Sequence, residues 1–198
     1  MVNRLGLIVL ILLSMVALKA VAVTEWNNPS ESRKVIPLHI EFDEQTRVQT
    51  DSVPLIDVQD LVRRIQADYK RPQKEIEVIA TAILDAASIF NIPWEILASI
   101  AAVESSFDYK AKSSVGALGV MQVLPEYWGD MEYDLQDPYE NVLAGASVLQ
   151  MYKGQCGSWD CALKAYNVGI TNYRRNQKKG AQERYIRKIR VAQVYFND

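Results

Sequence analysis

The chain has 198 residues, a formal net charge of -2 and 49% hydrophobic residues. That length suits one domain of ordinary size with a tail and leaves too little for two, and the near-balanced charge gives no global reason to bind nucleic acid. His39 is the single histidine, which removes histidine-based triads and most zinc sites from consideration, and no cofactor is expected.

Residues 1–23 open with Arg4, continue through the apolar run LGLIVLILLSMVAL and close with Lys19 and AVAV, the pattern of a positive region followed by a hydrophobic one. Export to the periplasm is expected. Ala20-Val21-Ala22 suits signal cleavage, whereas Leu5 to Val23 is nearly long enough to span a bilayer with Lys19 snorkelling, which would make it an inner-membrane anchor. Thr24 to Ser52, with Pro29 and Pro37 and no helical period, reads as a linker in which Leu38-His39-Ile40-Glu41-Phe42 alternates as a strand would. Charge is unevenly spread. Glu41 to Asp60 is acidic against Arg47 alone, while Arg174 to Arg190 carries eight Lys or Arg against Glu183. The basic end is either a solvated helix face or one turned to an anionic surface.

Helical periodicity begins at Val58, with Leu61, Val62 and Ile65 on one face, and strengthens over Ile76, Ile79, Ala80, Ile83, Leu84 and Ala87. An all-α domain of about seven helices is therefore expected from residue 58 or 72 to the end. The division adopted is 1–23 signal or anchor, 24–71 linker with a short strand and helix, and 72–198 domain. Asn91 ends the second periodic segment and Pro93 opens the next. Asp137-Pro138 caps a helix through Val142, Leu143, Ala146 and Leu149 that Gly154 is expected to stop, and Ser158 caps another. The last helix, from about Ala181, is expected to bury Tyr185, Ile186, Ile189 and Val194. Cys156 and Cys161, five apart in an exported chain, are expected to form a disulfide.

Chemistry concentrates in Ala101 to Pro125, AAVESSFDYKAKSSVGALGVMQVLP. Glu104 ends a helix whose preceding turns, Ile96 to Val103, are apolar. Desolvation and the negative end of the helix dipole both disfavour its ionised form, so its pKa should be raised, as a general acid requires. Gly116 and Gly119 permit a sharp turn and close backbone approach. Ser113 and Gln122 supply neutral hydrogen-bonding groups. Tyr166 offers a hydroxyl and a ring suited to orienting the acid, and Asn167 follows it. Tyr127, Trp128 and Tyr133 are either core or stacking walls.

Three blocks, Glu104-Ser105-Ser106-Phe107, Ala111 to Pro125, and Ala165-Tyr166-Asn167-Val168-Gly169, together resemble the catalytic domain of the soluble lytic transglycosylases. Asn141 and Gly145 in the helix opening at Asp137-Pro138 agree with that pattern. The resemblance implies a lysozyme-like helical fold shared with goose-type lysozyme and action on peptidoglycan glycan strands. It also implies Glu104 as the sole acid-base, with Ser113, Gly116, Gln122, Tyr166 and Asn167 lining the site. Glu104 would protonate the oxygen between N-acetylmuramic acid and N-acetylglucosamine, then take a proton from the attacking muramoyl 6-hydroxyl. Two departures stand out: Leu124 replaces a frequent methionine, and Ala181 stands where many members carry a glutamate, with Glu183 nearby. The alternatives are a hydrolase in which Asp130, Asp134 or Asp137 directs a water, and a non-catalytic wall-binding protein. Small size and an export segment suggest service to a secretion or conjugation apparatus, or to a phage crossing the wall.

Overall fold

The computed structural model describes residues 56–128 and 132–197. The expected export segment and the strand at residues 38–42 lie outside the described residues. Eight helices follow in order: α1 Val58–Asp68, α2 Gln73–Phe90, α3 Trp94–Ser105, α4 Pro125–Trp128, α5 Pro138–Cys156, α6 Trp159–Val168, α7 Ile170–Arg174 and α8 Lys179–Asn197. Among the described residues only isolated antiparallel bridges, Lys112 with Leu118 and Leu118 with Val123, interrupt the helical architecture.

The central element is α3. Every residue from Ile96 to Ala102 is buried, Ser99 included, because α2 and α8 both pack against this helix. A helix apolar on all sides can be stable only inside other helices, which is how α3 brings its last turn to the edge of the core. Beside it α2 packs on α1 and α5, and α6 packs on α5 and α8. Leu61, Val62 and Ile65 of α1 are at most 2% exposed, so this helix contributes to the core although it falls within the stretch read as linker.

Local signals set most boundaries. Asp57 caps α1 by accepting from the Asp60 N–H. The Asp137 carboxylate accepts from the N–H groups of Tyr139 and Glu140, satisfying donors that the first turn of α5 cannot. Ser158 caps α6 through Cys161, and Asn91 ends α2 in the left-handed conformation. Gly154 does not stop α5. The helix runs on to Cys156, and Gly157 at φ 77° accepts the left-handed C-terminal position, where a side chain would be strained. The expected disulfide is present, joining Cys156 at the end of α5 to Cys161 in α6. Closing so short a loop contributes about 2 kcal/mol in the chain-entropy account.

In α8 the inward stripe is Tyr185, Ile186, Ile189 and Phe196, whereas Val194, expected inside, is 61% exposed. Phe196 wins because it meets aromatic partners, lying edge-on to Phe107 and Trp94. The Arg64 side chain donates to its carbonyl at 2.8 Å, which ties the end of the chain to α1.

Candidate active site

The segment from Ala111 to Leu124 folds as a tight multiple turn held by side chains from three helices. Ser105, next to Glu104 on α3, donates its hydroxyl to the Val120 carbonyl at 2.8 Å. Asn141 on α5 is fully buried and makes three bonds: Oδ1 accepts from the Met121 N–H, while Nδ2 donates to the carbonyls of Leu118 and Leu135. Tyr166 on α6 donates to the Met121 carbonyl at 2.8 Å. The loop backbone would otherwise carry unmade hydrogen bonds in the protein interior, and these three residues satisfy them. Close approach is part of the design. A Cβ on Gly119, whose φ is +72°, would lie 2.4 Å from the Asn141 amide, and one on Gly145 would lie 2.5 Å from Met121.

Glu104 stands on the last turn of α3, half-buried, and shares a cavity of about 270 Å³ with Val103, Asn167, Ala181, Arg184, Tyr185 and Lys188. It is the one carboxylate on that wall among the described residues. Burial is the largest influence on it and pushes its pKa up to about 7. The Tyr185 hydroxyl and the Lys188 ammonium act in the opposite sense and hold it from rising further. A carboxyl titrating there is partly protonated at neutral pH yet ionises readily, as an alternating acid and base must.

The tyrosines divide the work differently from the sequence reading. Tyr166, expected to orient Glu104, spends its hydroxyl on Met121. Tyr185, read only as a buried residue of the last helix, is the tyrosine whose hydroxyl faces the acid. That hydroxyl is buried and closes no well-aligned hydrogen bond, but it is near enough to Glu104 to favour the carboxylate. Burial, then the charge of Glu104, pushes both phenols well above their ordinary range, so they stay protonated as donors.

The remaining candidates are dispersed. Asn167 lines the Glu104 cavity. Gln122 and Tyr166 line a smaller recess of about 50 Å³ with Leu124, Trp128, Val148 and Tyr152. The Gln122 amide donates to the carbonyls of Ala111 and Gly119, bracing the loop. Ser113 closes its own turn, its hydroxyl accepting from the Ala117 N–H, and Gly116 at φ +88° forms the tip with open space around it. Ser113 and Gly116 are absent from the lining of both cavities. Trp128 packs edge-on to Tyr152, and Tyr127 is 67% exposed.

Of the carboxylates a hydrolase would enlist, Asp137 caps α5, Asp134 accepts from the Gln136 N–H, and Asp130 lies outside the described residues. Glu183 bonds Lys164 at 3.2 Å and does not line the Glu104 cavity. No cluster of three or more His, Cys, Asp or Glu side chains is arranged to hold a metal among the described residues. Nor is any described helix long and apolar enough to cross a membrane.

An acid on the final turn of a buried helix, beside a loop clamped by the surrounding bundle, defines the lysozyme-like class of helical domains. The transglycosylase SLT domain family matches residues 81–189, more than half of the chain, and the chain belongs to that family. It is 31% identical over 85 residues to the transglycosylase of Enterobacteria phage PRD1, a match that covers 42% of this chain and 32% of that protein. The chain thus spans about a third of the length of that relative. The fold is similar to the 70 kDa soluble lytic transglycosylase of Escherichia coli, with a TM-score of 0.54 and 20% identity over 72% of this chain and 31% of that one. The lytic transglycosylase Slt of Pseudomonas aeruginosa aligns with a TM-score of 0.47 and 19% identity over 71% of this chain and 29% of its own.

Proposed function

We propose that the protein is a peptidoglycan lytic transglycosylase in which Glu104 acts alone as acid and base. The observation that carries the reading is the position of Glu104, desolvated to a pKa of about 7 in a cavity with no second described carboxylate. Protonated Glu104 gives its proton to the glycosidic oxygen as the bond from that oxygen to the muramoyl C1 breaks. The muramoyl 6-hydroxyl then bonds to C1 and its proton passes to the Glu104 carboxylate, so the acid is regenerated and no water is consumed. An attacker already tethered to the electrophile acts at high effective concentration, which lowers the demand for a second catalytic carboxylate. Protonated Tyr185 and Lys188 support the intervening carboxylate, and Asn167, which lines the same cavity, holds the saccharide.

Family membership and the phage relative support a wall-opening role, for a phage or for an envelope-spanning secretion or conjugation apparatus. The export segment of residues 1–23 supports a periplasmic site of action, anchored in the inner membrane if the segment is retained. Mass spectrometry of muropeptides released from purified peptidoglycan tests the chemistry. A 1,6-anhydromuramoyl end is expected; a reducing muramic acid would identify a hydrolase instead.

A further inference from the structure

Beyond the Glu104 cavity a second groove of about 640 Å³ runs between the end of α1 and the outer face of α8. Val103, Arg184 and Lys188 line both cavities, so the groove lies directly beside the Glu104 cavity. Its walls are two kinds of surface. Tyr69, Tyr195 and Val191 give apolar faces, and Val191 is 72% exposed. Arg184, Arg187 and Lys188 give three cations against one carboxylate, Asp68.

The charges of α8 are sorted by face. On the side toward α6, Glu183 pairs with Lys164 at 3.2 Å and Arg190 with Asp160 at 3.3 Å, so that face is neutralised within the fold. On the groove side, Arg184 and Arg187 make no ion pair among the described residues, whereas the charge of Lys188 acts on Glu104. The spacing of positions 184, 187, 188, 191 and 195 lines up one helical stripe along the groove. Guanidinium groups without internal partners, set over aromatic and aliphatic walls, match a ligand with carboxylates on a partly apolar chain. A neutral saccharide would leave them unmatched.

We propose that this groove takes the anionic peptide branch of the substrate, the short carboxylate-bearing stem attached to muramic acid, and that Arg187 reads one of its carboxylates. The inference rests on the peptidoglycan reading above. Arg187 lines only the outer groove, whereas Arg184 and Lys188 also belong to the Glu104 cavity, so Arg187 determines specificity without touching the reacting atoms.

The test compares kcat/KM of the full chain on glycan strands carrying stem peptides and on strands stripped of them. Wild type should favour stem-bearing strands on the order of tenfold, the size of a charge-assisted contact. Arg187→Ala should lose most of that preference and Arg187→Lys should restore part of it. An equal effect of Arg187→Ala on both substrates, or none, overturns the proposal while leaving the transglycosylase reading standing. If wild type cleaves neither substrate, that reading fails. The groove is then judged by titrating a soluble disaccharide-tetrapeptide and following the NMR signals of the Arg187 Nε–H and Tyr195. Perturbation that Arg187→Ala weakens about tenfold supports the proposal; silence at both positions refutes it.

Discussion

The hydroxyl of Tyr166 donates to the backbone carbonyl of Met121 across 2.8 Å, linking α6 to the glycine loop 45 residues earlier in the chain. Tyr166 therefore holds the loop backbone, while Glu104 is tuned by a different tyrosine. Removing one donor from a buried carbonyl costs about 1–3 kcal/mol, so Tyr166→Phe should lower stability by that amount in urea unfolding. The apparent pKa of Glu104 should stay where it is, because Tyr166 is absent from the influences that set it.

Tyr185 is the opposite case. Its hydroxyl pulls the Glu104 pKa down against the larger effect of burial. Tyr185→Phe keeps the ring and the desolvation but removes the donor, so Glu104 should titrate above its value of about 7. The alkaline limb of a pH profile of peptidoglycan clearing should shift upward, and an NMR titration of the Glu104 carboxyl carbon should agree. A limb that stays in place or moves down would show that Tyr185 does not act on the acid.

Glu104 also sets a pH dependence of stability. Its carboxyl has a pKa near 4.5 unfolded and about 7 folded. Between those values the folded state keeps a proton that the unfolded chain has released, so stability falls as pH rises through that window and levels off above it. The full shift corresponds to at most about 3 kcal/mol, less what solvent recovers at a half-buried side chain. Glu104→Gln carries no such penalty. It should match wild type near pH 4 and exceed its melting temperature above pH 7, while abolishing clearing. A variant less stable than wild type at pH 8 would contradict the desolvated acid.

How much of this was legible in the sequence follows from where each signal resides. Caps are local chemistry, so Asp137, Ser158 and Asn91 marked helix ends correctly. Helical period identified the inward faces of α1 and α2 for the same reason. Gly154 and Gly157 compete for one helix end, and the choice depends on Ser158 capping the next helix immediately afterward. Val194 and Phe196 compete similarly, and contacts with Phe107 and Trp94, distant in sequence, decide in favour of Phe196. The raised pKa of Glu104 was legible because desolvation follows from the apolar run before it. The acid's tyrosine partner was not, since periodicity places Tyr185 inward without saying where its hydroxyl points. The glutamate missing at Ala181, noted as a departure from the family pattern, was the available pointer, because that residue lines the same cavity as Tyr185.

The two loop glycines should respond unequally to the same substitution. Both have positive φ, +88° at Gly116 and +72° at Gly119, so an alanine at either position carries about 1–2 kcal/mol of backbone strain. At Gly116 nothing lies within 4 Å of the added methyl, and the cost should end there. At Gly119 the methyl would stand 2.4 Å from the Asn141 amide nitrogen, which is itself fixed by bonds to the Leu118 and Leu135 carbonyls. Making room means moving Asn141 and releasing its hold on the Met121 N–H, which exposes buried backbone groups to loss of their partners. Gly119→Ala should therefore cost about 2–5 kcal/mol, and Gly116→Ala about 1–2 kcal/mol, when the two are compared by thermal or urea unfolding. Because Asn141 and Tyr166 both hold Met121, whatever remains folded of Gly119→Ala should also lose activity. Equal costs for the two variants would mean that Asn141 can yield, and that the loop is not held as its hydrogen bonds indicate.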